Sequence, residues 1–281
     1  MKKYFLIMTT IFVVLFTLNI ADAQWRSDTH DVYNAVTGLD VTIDGKLDEW
    51  DGIMDAVTGT DGTPFCGLEF EANGGVIKVF ETYQTGVWNN ADDHTTCFMI
   101  AWDADSIYLA LSVTDDEHEH AAGAPWNGDG AQLSFVPSGN RAGGQTFFLY
   151  NAGLHDNGDV LLQNERTNGA PGLEAPDDFA VTRDEGAKKT YYEFRVGAAN
   201  LGLDSSFSAG DEIGLGICVN DGDQGGGQTG QKGWDGWYPH AVVYGKNPEK
   251  TGLVVLSSNT PTPVEPADKL ATTWGTLKSV K

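Results

Sequence analysis

From about residue 37 to residue 256 the chain is written in short runs of alternating apolar and polar residues, each cut off by Gly, Asp or Asn. Ile107, Leu109, Leu111 and Val113 share one parity, with Tyr108, Ala110 and Ser112 on the other, so an extended strand there carries one apolar face. No stretch of comparable length repeats at the helical period. The pattern predicts strands over 40–43, 76–82, 96–102, 106–114, 131–136, 145–150, 159–163, 179–183, 190–196, 212–220, 240–244 and 252–256, with one helical turn at 198–203. The 35 glycines suit many tight turns, and residues 102–106 (Trp-Asp-Ala-Asp-Ser) read as a hairpin link. Without a visible 20–50-residue repeat a propeller is disfavoured. The expected fold is therefore all-β, a jelly-roll-like sandwich of two antiparallel sheets with at most short helical turns.

The ends of the chain read differently. Lys2 and Lys3 precede a mostly apolar run over 4–20, and Ala21-Asp22-Ala23 supplies the small residues that a signal peptidase reads. Residues 1–23 are expected to be a signal peptide cut before Gln24, with an N-terminal membrane anchor as the alternative. No later segment has the length of a membrane-spanning helix, so the expected location is secreted, extracellular or periplasmic. The sandwich is expected over 24–257, followed by a proline-rich linker over 258–267, stiff and extended. Residues 268–281 carry Trp274, Leu277 and Val280 at three-residue spacing, which fits either a docking or attachment peptide or a disordered tail.

Seventeen basic residues against 40 acidic ones give a net charge of −23, which repels phosphate backbones and anionic lipid. Nucleic acid and membrane surfaces are thus poor partners. Solvated loops account for most of this acidity, and calcium sites are the sharper reading. Three cysteines are too few for a disulfide scaffold. Cys218 lies in an apolar run and is expected to be a buried free thiol. Export permits one bridge, for which Cys66 and Cys97 are the candidate pair, although spacing fixes no connectivity.

Three stretches, in order, resemble the family 9 carbohydrate-binding modules. The first is Ile43-Asp44-Gly45-Lys46-Leu47-Asp48-Glu49-Trp50. The second runs from Ile100-Ala101-Trp102 through Val113-Thr114-Asp115-Asp116 and on through Pro125-Trp126-Asn127-Gly128-Asp129 to Phe135. The third comprises Tyr192-Glu193-Phe194-Arg195-Val196, Leu201-Gly202-Leu203, and Gly210-Asp211-Glu212 through Asn220-Asp221. The resemblance covers about 41–256 and implies a β-sandwich of the kind attached to secreted polysaccharide enzymes, with polysaccharide or oligosaccharide as partner and structural calcium.

Sugars present C–H faces that pack on aromatic rings and hydroxyls that need paired donors and acceptors. Trp126 follows a Gly- and Ala-rich loop and precedes Asn127, Asp129 and the strand bearing Gln132, a setting suited to a sandwich rim. By resemblance it matches one of two tryptophans that clamp a sugar ring, and Trp237 is the candidate for the other. Trp50, Trp102 and Trp234 are expected in structural positions. Asn127, Asp129, Gln132 and Asn220 complete the expected sugar site. Gln132 stands where the family often has glutamate, Phe148 where it can have arginine and Cys218 where it can have glutamine, so the hydroxyl-reading groups differ.

Calcium needs six to eight converging oxygens. Asp44, Asp48, Asp115 and Asp116 are the expected ligands, with Asp221 and Asp223 as a further pair. His118 and His120 flank Glu119 at strand spacing, which suits either a zinc pair or a solvated loop. G-x-S-x-G is absent, and no carboxylate pair is singled out as a glycosidase would need. A non-catalytic carbohydrate binder is the first reading. The alternatives are a calcium-stabilised extracellular structural or adhesion domain without sugar affinity, and a sandwich-fold glycoside hydrolase.

Overall fold

The computed structural model describes residues 31–50, 65–66, 77–222 and 230–261. The expected signal peptide, Asp223 and the chain beyond residue 261 lie outside them. The described residues form thirteen strands: β1 Val32–Thr37, β2 Phe65–Cys66, β3 Ile77–Thr82, β4 His94–Trp102, β5 Ser106–Asp115, β6 Gly130–Val136, β7 Phe148–Leu154, β8 Val160–Arg166, β9 Phe179–Asp184, β10 Lys189–Gly197, β11 Glu212–Asp221, β12 Gly233–Trp237 and β13 Gly252–Leu256. Helical structure among the described residues is confined to single 3-10 turns such as Asp48–Trp50, Ala198–Leu201 and Pro239–Ala241. None is long and apolar enough to cross a membrane.

The all-β expectation holds, and the layout refines it. The strands form one hydrogen-bonded sheet in the order β8-β7-β6-β11-β13-β1-β4-β5-β10-β9, with β12 and β3 branching from β11 and β2 from β4. β1 makes it continuous, because Val32 to Ala35 pair with β13 and Val36 to Thr37 pair with β4. Both pairings are parallel, whereas the other ladders are antiparallel. The expected separation into two purely antiparallel sheets is thus bridged by a single strand that changes partner midway.

Alternation sorts the side chains as period two requires. On β6 Ala131, Leu133 and Phe135, and on β11 Ile213, Leu215, Ile217 and Val219, enter the main core beside Leu109, Leu111 and Phe194. The opposite parity of the same strands carries Gln132, Ser134, Cys218 and Asn220, which are buried beneath other chain segments. A second, smaller apolar cluster lies there, built from Val136, Phe147, Leu149, Cys218, Trp234 and Val242. Trp234 and Trp237 are three residues apart, and this odd spacing places them in different clusters.

Trp50 and Trp102 are buried, with the Trp50 indole N–H donating to Glu193 Oε1 at 2.9 Å. Cys218 is a buried free thiol and Cys97 is disulfide-bonded, with the backbone register setting Cys66 opposite Cys97. Two predicted strands are not formed. Residues 40–43 carry no ladder, and 240–244 is taken up by the 3-10 turn Pro239–Ala241 and the turn after it, opened by Pro239, whose ring has no N–H to give a sheet.

Candidate functional site

The side of the sheet that carries Gln132 on β6, Gln163 and Glu165 on β8 and Trp234 on β12 opens onto a cleft of about 560 Å³, within the usual range for small-molecule sites. Tyr83, Trp126, Trp234 and Tyr244 bring four aromatic rings to it, and Gln132, Gln163, Glu165, Gln231 and Lys246 bring polar groups. Trp126 and Tyr244 are 40% and 60% exposed, the only strongly exposed aromatic side chains among the described residues. A larger depression of about 680 Å³, lined by Val136, Phe148 and Leu203, offers no such ring, since Phe148 is buried.

Both exposed rings are braced from behind. The Trp126 carbonyl accepts from Asn220 Nδ2 at 3.2 Å, and Asn220 Oδ1 accepts from Gln132 Nε2 at 3.1 Å and Gln231 Nε2 at 2.6 Å. The Tyr244 hydroxyl donates to Glu81 Oε1 at 3.1 Å, and its ring meets Trp234 edge-on at 5.5 Å and His240 at 5.4 Å. Burial and Glu81 together push the Tyr244 hydroxyl above its ordinary pKa, so it stays a donor. Tyr244, Gly245 and Lys246 all take positive φ (56°, 128° and 63°), an unusual backbone for the two non-glycine residues. Such strain concentrates at binding sites. Asn247 Nδ2 secures the turn by donating to the His240 carbonyl at 3.0 Å.

The polar rim is likewise fixed. Asn151 Nδ2 donates to Gln163 Oε1 at 3.0 Å and Glu165 Oε2 at 2.7 Å, and Lys246 pairs with Glu165 at 3.3 Å. Glutamine amides, a carboxylate and an ammonium beside two open rings supply the donors, acceptors and stacking faces that a polyhydroxylated ring needs.

The structure redistributes the expected site residues. Trp126 and Gln132 line the cleft, and Asn220 supports both from beneath. Asn127 flanks Trp126, its amide N–H donating to the Ala124 carbonyl, but it does not line the cleft. Trp237 is not a clamp: it is 1% exposed and packs on Tyr33, Phe98 and Tyr238. Gly252 leaves room for it, since a Cβ there would stand 2.4 Å from the Trp237 ring. Trp234 is buried, yet its ring contributes to the cleft. The second open ring is Tyr244, which the expected strand over 240–244 concealed.

Asp129 also leaves the sugar site. It is 3% exposed, and its carboxylate accepts from the backbone N–H groups of Glu119 and Gly222. With Asp115 and His118 it forms a buried group whose ligand atoms lie within 4.8 Å of one another. His118 Nδ1 stands 3.5 Å from Asp129 Oδ2 and 3.7 Å from Asp115 Oδ2, while Arg183 Nη1 is 3.3 Å from Asp115 Oδ2. Burial and the neighbouring Asp115 and Asp221 charges push the Asp129 carboxyl well above its ordinary range. Burial acts the same way on Asp115, but His118, His94 and Arg183 outweigh it and hold that carboxyl low.

Among the described residues the four expected calcium ligands are not gathered into one group. Asp44 is engaged by Lys46, whose ammonium and backbone N–H both donate to it, and Asp48 is exposed at the start of the turn that follows. Asp116 is exposed, since one step along the chain from Asp115 reverses the side chain. Only Asp115 of the four enters the cluster. An oxygen cage is not what surrounds it: a histidine nitrogen takes one position and a guanidinium stands beside another. This donor set does not fit calcium.

An aromatic-lined cleft on one sheet face of a β-rich fold is the kind of surface on which small ligands bind. Residues 73–259 match the family model described as carbohydrate family 9 binding domain-like, and the chain belongs to that family. Its fold is similar to that of a family 9 carbohydrate-binding module from Caldicellulosiruptor kristjanssonii in complex with cellotriose, at 14% identity and a TM-score of 0.55, covering 84% of this chain and 100% of that one. A family 9 module from the same organism in complex with glucose is similar at 13% identity and a TM-score of 0.55, covering 83% and 100%. No curated protein matches the sequence.

Proposed function

We propose that the protein binds saccharides in the cleft between Trp126 and Tyr244. The observation that carries this reading is the placement of the only two strongly exposed aromatic rings among the described residues on one polar-rimmed cleft. A sugar ring would stack its C–H face on Trp126, with Tyr244 as a second wall, while Gln132, Gln163, Gln231 and Glu165 would read hydroxyls. The family match supports carbohydrate as the ligand class, and the cellotriose and glucose complexes of its structural neighbours make β-glucan chains the first ligands to try.

We place this activity outside the cytoplasm, within polysaccharide recognition or degradation. The disulfide at Cys97 supports an oxidising compartment. Isothermal calorimetry and affinity electrophoresis against glucose, cello-oligosaccharides, xylan and soluble cellulose test the reading. Saturable binding to at least one of them is expected. Silence across the panel would instead favour a structural or adhesion domain.

A further inference from the structure

We infer that Asp115, His118 and Asp129 form a binding site for a divalent transition metal, with zinc as the probe ion, and not for calcium. Nothing in the carbohydrate-binding reading requires such a site. The two nitrogens of His118, whose side chain is 7% exposed, stand in different settings. Nε2 lies 2.8 Å from the Leu154 carbonyl, which can only accept, so Nε2 carries a proton. Nδ1 then faces the two carboxylates and has no hydrogen-bond partner.

Two arrangements are open to a buried nitrogen in that position. As a neutral imidazole it directs a lone pair at two carboxylate oxygens, an assembly of acceptors that either a proton held on Asp129 or a bound metal ion reconciles. As an imidazolium it should donate a short, charge-assisted bond of about 2.7–2.9 Å. The observed separations of 3.5 and 3.7 Å leave unmade both that bond and one donated to Nδ1 by a protonated Asp129. These two histidine–carboxylate separations are instead close to the spacing of ligands around a common ion, since four donors placed tetrahedrally at about 2.0–2.2 Å from zinc stand roughly 3.4 Å apart, and all three ligand atoms lie within 4.8 Å of one another.

The outer contacts fit as well. A metal-bound histidine typically donates its other N–H to a carbonyl or carboxylate, which is the role Leu154 plays. Asp129 is oriented by the Glu119 and Gly222 amides, and Asp115 by Arg183 and by the Glu117 amide at 3.0 Å. These contacts also occupy much of the carboxylates' acceptor capacity, leaving few oxygens for an ion that wants six to eight. One nitrogen with two carboxylates suits a borderline ion of low coordination number, and solvent could supply the fourth position.

The position within the fold gives the site a consequence. Asp115 ends β5 and Asp129 immediately precedes β6, so an ion held by them and by His118 closes the base of the connection that carries Trp126. Metal would hold that connection in the shape that presents the ring. This coupling rests on the saccharide reading, whereas metal binding does not.

The test uses the full chain stripped with chelator and titrated with ZnCl2 and, separately, CaCl2 by calorimetry, without sugar. One equivalent of zinc is expected, bound at least about tenfold tighter than calcium, together with a rise in Tm. His118→Asn should weaken zinc by at least about tenfold. Cobalt substitution of the wild-type chain serves if that variant misfolds, and the visible d–d bands of a low-symmetry nitrogen- and oxygen-ligated ion are expected. Absence of stoichiometric zinc and cobalt binding overturns the proposal, leaving His118 as a buried cation between two acids. Tighter calcium than zinc also overturns it. Sugar affinity that falls on chelation and returns with zinc supports the coupling; zinc binding without any sugar affinity refutes the saccharide reading and leaves the metal site standing.

Discussion

Replacing Trp126 with alanine removes a stacking face while leaving the frame that holds it. An aromatic side chain presents about 150–250 Å². With 40% of Trp126 exposed, about 60–100 Å² of ring is open for a ligand to cover. At about 25 cal/mol per Å², covering it is worth roughly 1.5–2.5 kcal/mol. Its loss should therefore raise Kd by about 10- to 60-fold. Stability should change by no more than about 1 kcal/mol, because the Trp126 carbonyl that accepts from Asn220 is kept and little of the core touches the ring. Calorimetric titration with the best ligand from the saccharide panel, beside a urea unfolding curve, measures both quantities. An unchanged Kd would refute stacking on this ring. A large loss of stability would refute the reasoning differently, by showing the ring to be a packing element.

Tyr244→Ala should cost about tenfold in saccharide affinity, whereas Tyr244→Phe, which keeps the ring and loses only the bond to Glu81, should cost less than about threefold; the same titration distinguishes them. Trp237→Ala should lower unfolding free energy by about 3–5 kcal/mol in urea, since this large ring is fully enclosed. The buried pair of His94 with Asp235 makes stability depend on alkaline pH. Burial opposes charging His94, but Asp235 at 3.3 Å outweighs it and raises the imidazole from 6.5 to about 10. A folded-state pKa raised in this way contributes stability that is complete below about pH 6.5 and lost as pH climbs through about 10. Urea unfolding between pH 6 and 10 should show that decline. His94→Gln should flatten it and cost about 3–5 kcal/mol at pH 6, because Asp235 is left buried without its partner.

Much of the fold is legible because period two is a direct record of a sheet with one face buried. β4, β5, β6, β10 and β11 fall where alternation places them. β1 and β12 do not: Asn34 interrupts the first, and Gly233 and Gly236 weaken the second, so neither has the β-branched run that marks a strand. Both are held by tertiary pairing. Around the candidate cleft, the small-residue approach to Trp126 makes its exposed position legible, and Gln132 and Asn220 lie beside it as their spacing suggests.

Trp237 was misplaced because a tryptophan in a Gly- and Asp-rich stretch reads the same whether the ring turns outward or inward. Only the space left by Gly252 and the stacking on Phe98 decide it. Tyr244 was concealed by an apparent strand, although Gly245, Asn247 and Pro248 immediately after it are turn residues that argued for a loop. The acidic cluster was half visible. Asp115 reads as a calcium ligand beside Asp116, and His118 reads with His120 as a zinc pair or a solvated loop, whereas the meeting of Asp115 and His118 with Asp129 depends on the chain returning at the start of β6, which no local pattern encodes.

The central claim, that saccharide is bound between Trp126 and Tyr244, is tested most directly by following the tryptophan indole N–H signals of the ¹⁵N-labelled chain by NMR during titration with cello-oligosaccharide. The account predicts that the Trp126 signal, assigned by its loss in Trp126→Ala, shifts saturably with ligand, that Trp234 at the cleft wall responds more weakly, and that Trp237 stays fixed. Saturable binding that leaves Trp126 unmoved, or that instead perturbs residues around Val136 and Leu203, would contradict it.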